Sequence, residues 1–304
     1  MRKFEEETMN KNISRIITWA VAALIVVLIL YWFFLPRFAG DLPVNAVAIR
    51  IGSVAIHWYG IIIALALLLG YVLFVKPQAK KLGVNDDQLS TFILILVVAG
   101  IIGSRLGYVV QKFGYYRQNP LEILTIWQGG MSIHGALLLG AIATFIWARA
   151  LKVNIWQLLD VLSPAVVLGM ALGRVGNFLN QELIGVPAKV AWKMYVASAY
   201  RPAALAESQY FHPVFLYEMI FDLLILGILL YLAKKHPKQG LIFWSFIGLY
   251  SLGRVIVEIW RYNDVRYFWH LSLAQIVSFI LIIISTSAIL MITKPKFFDK
   301  FKKV

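Results

Sequence analysis

The sequence predicts an all-α polytopic membrane protein with about eight transmembrane helices. Hydrophobic residues make up 61% of the 304 residues and charged residues only 14%, whereas soluble proteins average about 25% charged residues. The hydrophobic residues form long runs, most of them close to the ~20 residues that a helix needs to cross a bilayer. Many of the basic residues lie in the short segments between these runs, as is typical of multi-pass membrane proteins.

The eight predicted spans follow one another closely. We interpret the first as an uncleaved anchor; a cleaved signal peptide is the alternative, but the apolar run is long and no small-residue cleavage site follows it. The fifth contains Pro164, where we expect a kink. Residues 186–212 are too irregular to span and are predicted to form a small outward-facing head. The predicted spans are 13–34, 56–75, 89–111, 131–148, 156–172, 213–233, 241–260 and 270–292.

The chain divides into an N-terminal tail, anchor and linker (1–43), a seven-helix core (44–293) and a basic tail (294–304). An even number of spans puts both termini on one side of the membrane. Lysine and arginine are concentrated on that side, so the positive-inside rule predicts cytoplasmic termini. The net charge of +14 is therefore interpreted as topological and as favourable for anionic lipid. Nucleic-acid binding is not expected, because the basic residues lie between apolar spans.

The most polar segment at a membrane edge is 173–185, which directly follows the fifth span. It combines three glycines with Arg174, Asn177 and Glu182. Hydrocarbon would reject this cluster, so another interaction must offset its cost. Glycine lets the backbone approach a ligand, and the guanidinium group has a planar set of donors that suits phosphate. The segment therefore predicts a phosphate-binding site at one face of the membrane.

Several other spans carry polar side chains near their outer ends, which predicts one shared cavity that opens outward. In the seventh span, Tyr250, Arg254 and Glu258 recur every four residues and Arg261 continues the same helical stripe. The alternative interpretation is structural, with buried ion pairs that fix helix register. The other outer polar residues are Tyr59, Arg105, His134, Tyr217, Glu218, Asp222, Ser272, Gln275 and Ser278.

The residues at this depth that are able to accept or donate a proton are His134 and two tyrosines. His134 follows a glycine-rich turn, and a histidine can accept a thiol proton because the two groups titrate at similar pH; a structural role is the alternative. Tyr59 and Tyr250 are ambiguous, because tyrosine is common at membrane interfaces. The chain has no cysteine, so a reacting thiol would belong to the substrate. The five histidines are scattered, so neither a metal nor another cofactor is expected.

Taken together, these motifs resemble the prolipoprotein diacylglyceryl transferase family of bacterial inner membranes. The segment 173–185 fits the family pattern G-R-x-G-N-F-x-N-x-E-x-x-G at every fixed position. The resemblance covers 44–292 with the motifs in the expected order. The other matching segments are 57–60, 103–108, 129–135, 212–213 and 216–218, together with Tyr250, Arg254, Glu258 and Arg261.

The resemblance implies transfer of a diacylglyceryl group from phosphatidylglycerol to the lipobox cysteine in a prolipoprotein signal peptide, with release of glycerol phosphate. It also implies an inner-membrane enzyme whose site faces the outer leaflet. Arg174 and Arg254 would bind the phosphate and stabilise the leaving group, with His134 or Tyr250 as the base. The implied headgroup-binding residues are Arg174, Arg254, Tyr59, Asn177, Glu182, Gly185, Glu258 and Arg105.

The sequence departs from the family pattern in three places. Residues 1–40 precede the usual seven spans, 272–275 reads SLAQ where many members have SMGQ, and 186–209 matches poorly. A diverged paralogue, a transporter of an anionic lipid and a non-catalytic lipid-binding scaffold are therefore alternatives. A transporter would need polar groups that continue to the inner face, where the sequence places Asp160 as the one clear charge.

Overall fold

The computed structural model describes residues 21, 24–25, 28–52, 54–235, 237–262 and 267–294. Among these residues, six helices are long and apolar enough to cross a membrane, and the apolar helix Leu241–Val257 is shorter. The protein is therefore a polytopic helical membrane protein, as the sequence predicts. The predicted N-terminal tail, most of the first span and residues 295–304 of the basic tail lie outside the described residues.

The main helices correspond to the second to eighth predicted spans. They are α1 (Trp58–Gly70, extended by the π-helix Tyr71–Val75), α2 (Asp86–Gln111), α3 (Ile133–Ala150), α4 (Ile155–Leu179), α5 (Val214–Lys234), α6 (Leu241–Val257) and α7 (Leu273–Thr293). Short helical turns are Leu30–Phe34, Leu35–Ala39, Lys76–Gln78, Ala79–Leu82, Phe113–Gln118, Pro120–Leu124, Ile126–Gln128, Ser198–Tyr200, Ala203–Leu205 and Phe268–His270. The strands are β1 (Val47–Ile51), β2 (Val54–His57), β3 (Met194–Tyr195) and β4 (Tyr210–Phe211).

Polar side chains fix where three of the helices begin. Asn85 forms a capping box with Gln88 at the start of α2, and Asn154 accepts hydrogen bonds from backbone amides at the start of α4. Ser272 and Gln275 form a second capping box at the start of α7. The sequence predicts that this last pair belongs to a shared polar cavity. In the structure their hydrogen bonds instead satisfy amide groups that a helix terminus leaves free.

Two helix ends differ from the prediction. Helix α4 runs through Pro164 and past the predicted end at 172 to Leu179, so Arg174 lies on a helix and not in a connecting loop. Burial of this end explains the extension, since Phe178 is only 1% exposed and packing outweighs the low helix propensity of the nearby glycines. Helix α6, by contrast, ends at Val257, which places Arg261 beyond the helix.

Two antiparallel strand pairs lie outside the helices. Strands β1 and β2 form a hairpin directly before α1, with Val47 opposite His57 and Gly52 in the left-handed conformation at the turn. This hairpin was not predicted; β-branched residues are frequent in both strands, which favours strand geometry. Strands β3 and β4 pair within the head, residues 186–212, whose short elements agree with the prediction that it does not span.

The helices pack through small residues and aromatic rings. A Cβ atom on Gly103 or Gly135 would overlap the backbone of the other helix of the α2–α3 pair, so these glycines let the two helices pack closely. Near the other end of this pair, Phe92 stacks on Trp147 with ring centroids 4.3 Å apart. These rings join one of the buried hydrophobic clusters, which also contains Leu158 of α4.

Asp160 serves as a helix cap. Its carboxylate accepts hydrogen bonds from the backbone amides of Gly240 at 2.7 Å and Phe243 at 2.8 Å, at the start of α6. A carboxylate is favourable at this position because the amide groups at a helix N-terminus carry partial positive charge. The charge near the predicted inner face is therefore used to hold α4 and α6 together.

Candidate functional site

Among the described residues, three arginines converge on one buried carboxylate. Arg174 of α4 places Nη1 2.5 Å from Oε2 of Glu218, while Arg254 of α6 places Nη1 2.6 Å from Oε1. Nη1 of Arg261, beyond the end of α6, lies 3.5 Å from the same Oε1. Glu218 is on α5 and is only 5% exposed. A single side chain thus brings together guanidinium groups from two helices and a following segment.

Two further carboxylates complete the cluster. Asp222, one turn after Glu218, lies 3.5 Å from Nε of Arg174. Glu258 lies 2.8 Å from Nη2 of Arg254 and is fully buried. With Arg261 included, the formal charges of the three arginines and three carboxylates balance. The site therefore contains the ion pairs of the structural interpretation and also the convergent guanidinium groups that a phosphate would need.

A crevice lies beside these ion pairs, between α4, α5 and α6. Counted together with the open solvent at its mouth, the space between its walls is about 230 Å³. Its walls combine the charged cluster with apolar and aromatic groups, and Tyr250 is among them. The residues that line it are Arg174, Glu218, Phe221, Asp222, Ile225, Tyr250, Gly253, Arg254 and Val257. Three of the predicted site residues, Arg174, Arg254 and Tyr250, therefore share one cavity.

The signature loop, residues 180–185, follows α4 directly. Asn177 donates a hydrogen bond of 2.8 Å to Oε1 of Glu182, and Asn180 donates one of 3.2 Å to the same oxygen. Gln181 and Leu183 have positive φ angles of 50° and 58°, a conformation that residues other than glycine rarely adopt. The predicted residues Asn177 and Glu182 thus act together to hold a strained turn beside the arginine cluster.

Gly185 joins this loop to the segment that carries Arg261. The two residues form an antiparallel bridge, and the amide of Val186 donates to the carbonyl of Trp260 at 2.8 Å. A Cβ atom on Gly185 would lie 2.8 Å from Cβ of His212 and 2.9 Å from the Trp260 oxygen. Only glycine fits this three-way contact without displacement of the backbone.

Tyr59 lies near the same end of α4. It is half-buried in the first turn of α1, and its ring occupies the space that a Cβ atom on Gly176 would take. Tyr59 therefore packs against α4 at Gly176, the residue before Asn177. It does not line the crevice between α4, α5 and α6.

Arg105 and His134 lie elsewhere. Arg105 is buried and donates to four backbone carbonyl groups of the loop between α2 and α3, those of Glu122, Ile123, Gly129 and Gly130. Its guanidinium group is thus occupied by the loop that leads into α3. His134 follows that loop and is exposed, and its imidazole ring makes no hydrogen bond or ion pair with any residue that the structure describes. Neither residue lines the crevice.

A group of polar and aromatic side chains lies near Gly185. Trp192 of the head donates a hydrogen bond of 2.8 Å to the hydroxyl of Tyr217, which lies 3.0 Å from Nδ1 of His212. Trp260 packs edge-on against Tyr217. Burial lowers the pKa of His212 below its ordinary value, so the neutral ring is favoured. The head is therefore tied to α5 through side chains at the edge of the site.

The sequence interpretation omitted three residues from its proposed binding set. Glu218, Asp222 and Arg261 all belong to the charged cluster, although the first two were recognised as outer polar residues of the sixth span. Their spacing of four residues on α5 was the available signal, because such a pair lies on one helix face. Ionisable residues within a membrane span also indicate a functional site by default.

Comparison with known proteins agrees with these motifs. Residues 46–292 match the family described as Prolipoprotein diacylglyceryl transferase. Similar proteins named "Phosphatidylglycerol--prolipoprotein diacylglyceryl transferase" come from Acaryochloris marina (44% identity, covering 76% of this chain and 84% of the relative), Synechocystis sp. (42%, 80% and 87%) and Clostridium botulinum (37%, 83% and 98%). The family match covers most of the chain, including every predicted site residue. The chain therefore belongs to the prolipoprotein diacylglyceryl transferase family.

Proposed function

We propose that this protein transfers the diacylglyceryl group of phosphatidylglycerol to the lipobox cysteine thiol of prolipoproteins. The observation that carries this proposal is the convergence of Arg174, Arg254 and Arg261 on Glu218 beside an open crevice. Guanidinium groups bind phosphate oxygens through paired N–H donors. A phosphate group in the crevice would share these donors with the carboxylate that now occupies them.

The proposed reaction needs charge stabilisation more than covalent chemistry from the protein. The cysteine sulfur attacks the glyceryl carbon that bears the phosphate oxygen, so a carbon–sulfur bond forms and the carbon–oxygen bond breaks. The electron pair of the broken bond leaves with glycerol phosphate, whose developing charge Arg174 and Arg254 stabilise. The thiol proton passes to a base, for which Tyr250 and His134 are the candidates; Tyr250 lines the crevice, whereas His134 lies outside its lining.

We place the enzyme in a bacterial inner membrane, with cytoplasmic termini and its site towards the outer leaflet. Lys80 and Lys81 follow α1, and Lys234 and Lys235 end α5, at the helix ends opposite the arginine cluster. Basic residues favour the cytoplasmic side. The capping role of Asp160 also weighs against a transporter, which would need polar groups that extend the cavity inward.

One assay tests this proposal. Purified full-length protein is mixed with labelled phosphatidylglycerol and a lipobox peptide, and the peptide is analysed by mass spectrometry. We expect the thioether product, and we expect Arg174→Ala and Arg254→Ala each to lower kcat/KM at least 100-fold, the scale for loss of one donor to a developing anion. Arg254→Lys keeps the charge but loses the paired donors, and is also expected to be impaired.

The matched control is Arg149→Ala, which removes the same charge from an exposed site at the other end of α3. It should keep wild-type turnover. Full turnover in both Arg174→Ala and Arg254→Ala would contradict the phosphate-binding role. Lipid binding without product would indicate a scaffold, and lipid movement across proteoliposomes without product would indicate a transporter.

A further inference from the structure

We infer that the N-terminal segment 33–40, which precedes the region shared with the family, is a positioning element for the signature loop. The family match begins at residue 46, so the shared motifs leave this segment without a role. The segment nevertheless packs directly on α4, the helix that carries Arg174. Only the kinetic part of its test rests on the proposed function.

The segment supplies most of the ring contacts of Phe178, the buried aromatic residue of the signature. Phe34 stacks on Phe178 with centroids 5.3 Å apart, and Phe38 packs against it at 5.6 Å. The third ring partner is Phe215 of α5, at 4.9 Å. Phe178 is 1% exposed, so removal of the N-terminal rings would open a void beside it.

Phe38 also bridges the two helices that form the central ion pair. Its ring lies 5.6 Å from that of Phe178 on α4 and 5.9 Å from that of Phe215 on α5. Phe178 is one helical turn after Arg174, and Phe215 is about one turn before Glu218. The distance between these helices sets the 2.5 Å contact between Arg174 and Glu218, so Phe38 is well placed to influence it.

The end of the segment is fixed to the head. Gly40 has a φ of 92°, and a Cβ atom there would lie 2.7 Å from the ring of Tyr195 in β3. The carbonyl of Ala39 accepts a hydrogen bond of 3.3 Å from the hydroxyl of Tyr210 in β4. Tyr210 and Tyr195 pack edge to face. The segment therefore contacts both strands of the head as well as α4 and α5.

Strand β3 in turn supports the signature loop. Gln181 donates to the carbonyl of Tyr195 at 3.5 Å and accepts from the amide of Ala197 at 3.0 Å. Because Gln181 and Leu183 have positive φ angles, the loop needs surrounding contacts to stay in this conformation. The N-terminal segment supplies such contacts from two directions, through Phe178 at the helix end and through β3.

The test is made in the full-length protein. It compares substitutions of packed aromatic residues of this segment with a substitution of an exposed aromatic residue next to it. Phe34→Ala, Phe38→Ala and the double variant remove the packed rings, while Phe38→Leu keeps most of the side-chain volume. Trp32→Ala is the matched control, since Trp32 is an aromatic residue next to the same segment but 70% exposed. All proteins are measured well below their unfolding temperatures, so that loss of folded protein does not affect the result.

Two measurements follow. In the transfer assay we expect the double variant to lower kcat/KM for phosphatidylglycerol about tenfold or more, because small displacements of binding groups carry large kinetic costs. Phe38→Leu should recover most of this loss, and Trp32→Ala should stay within about twofold. Hydrogen exchange should be faster at the backbone amides of residues 181–186 in the double variant, and unchanged there in Trp32→Ala.

The inference fails if the double variant unfolds at a lower temperature but keeps wild-type kcat/KM and wild-type exchange at 181–186. It also fails if Trp32→Ala has the same effects as the double variant. If the wild-type protein forms no product, the proposed function fails instead, and the exchange measurement still tests the positioning role by itself.

Discussion

Replacement of Glu218 with glutamine removes the charge that holds the arginine cluster together. Glu218 lies 2.5 Å from Arg174, 2.6 Å from Arg254 and 3.5 Å from Arg261, and it is 5% exposed. Glutamine has nearly the same shape and keeps one carbonyl acceptor, so little packing changes. The cluster, however, goes from balanced charge to an excess of one positive charge in a buried place.

The structure gives a magnitude for this change. Removal of one partner from a buried ion pair costs about 3–5 kcal/mol, and the retained acceptor argues for the lower end, about 3 kcal/mol. At about 2 °C per kcal/mol for a chain of this size, the unfolding temperature should fall by roughly 6 °C. The uncompensated positive charge should at the same time favour binding of an anion, and we expect the affinity for glycerol phosphate to rise about tenfold. The binding free energy that corresponds to this factor is well below the ~4 kcal/mol of one charge pair at 4 Å with an effective dielectric of 20.

The assay is thermal unfolding of the purified protein with and without glycerol phosphate. Glu218→Gln should unfold at a lower temperature than wild type, and glycerol phosphate should raise its unfolding temperature more than it raises that of wild type. Glu207→Gln is the control, because it makes the same substitution at an exposed residue of the head; surface changes of this kind alter stability by about 0.5 kcal/mol or less. Equal stability of the two variants, or an equal response to the ligand, would refute the reasoning.

Two further predictions concern residues outside the crevice. Gly185→Ala should lower both stability and kcat/KM, because its Cβ would press on the backbone of Trp260. The control Gly140→Ala, in open space on α3, should be neutral or slightly stabilising. Equal unfolding temperatures of the two variants would show that the close contact at Gly185 is unimportant. Arg105→Lys should expose the 113–130 loop to proteolysis, since one ammonium cannot replace the donors to four carbonyls. A loss of kcat/KM for phosphatidylglycerol without any change in the loop would instead indicate that Arg105 binds the headgroup.

Much of the architecture could be predicted from local features of the sequence. Apolar runs of membrane length are a local property, and the predicted spans from the second onwards have counterparts in the described helices. The small residues Gly100, Gly103 and Gly107 of the third predicted span favour close helix packing. The structure shows such packing at Gly103 and Gly107, whereas a Cβ atom on Gly100 would meet open space. The cost of charge in hydrocarbon also predicted that Arg174 and Arg254 face a common cavity, and both line it.

The sequence did not predict which group each polar side chain binds. Arg105 and Arg254 are both arginines near the outer ends of predicted spans, yet one binds backbone carbonyls of a loop and the other binds carboxylates. His134 was expected beside the arginines, but the described structure leaves it exposed and away from the crevice. Helix rotation decides these outcomes, and it depends on packing against distant parts of the chain.

Local sequence is enough to predict that this chain crosses a membrane several times and that its arginines must be compensated there. Length, hydropathy and the cost of a buried charge are properties of each segment. The contacts of Glu218 with Arg174, Arg254 and Arg261, by contrast, are visible only in the folded chain. The same is true of the packing of a segment before the family region on Phe178. Both outcomes come from contacts between segments far apart in sequence, whose relative rotation and depth only the packed bundle fixes.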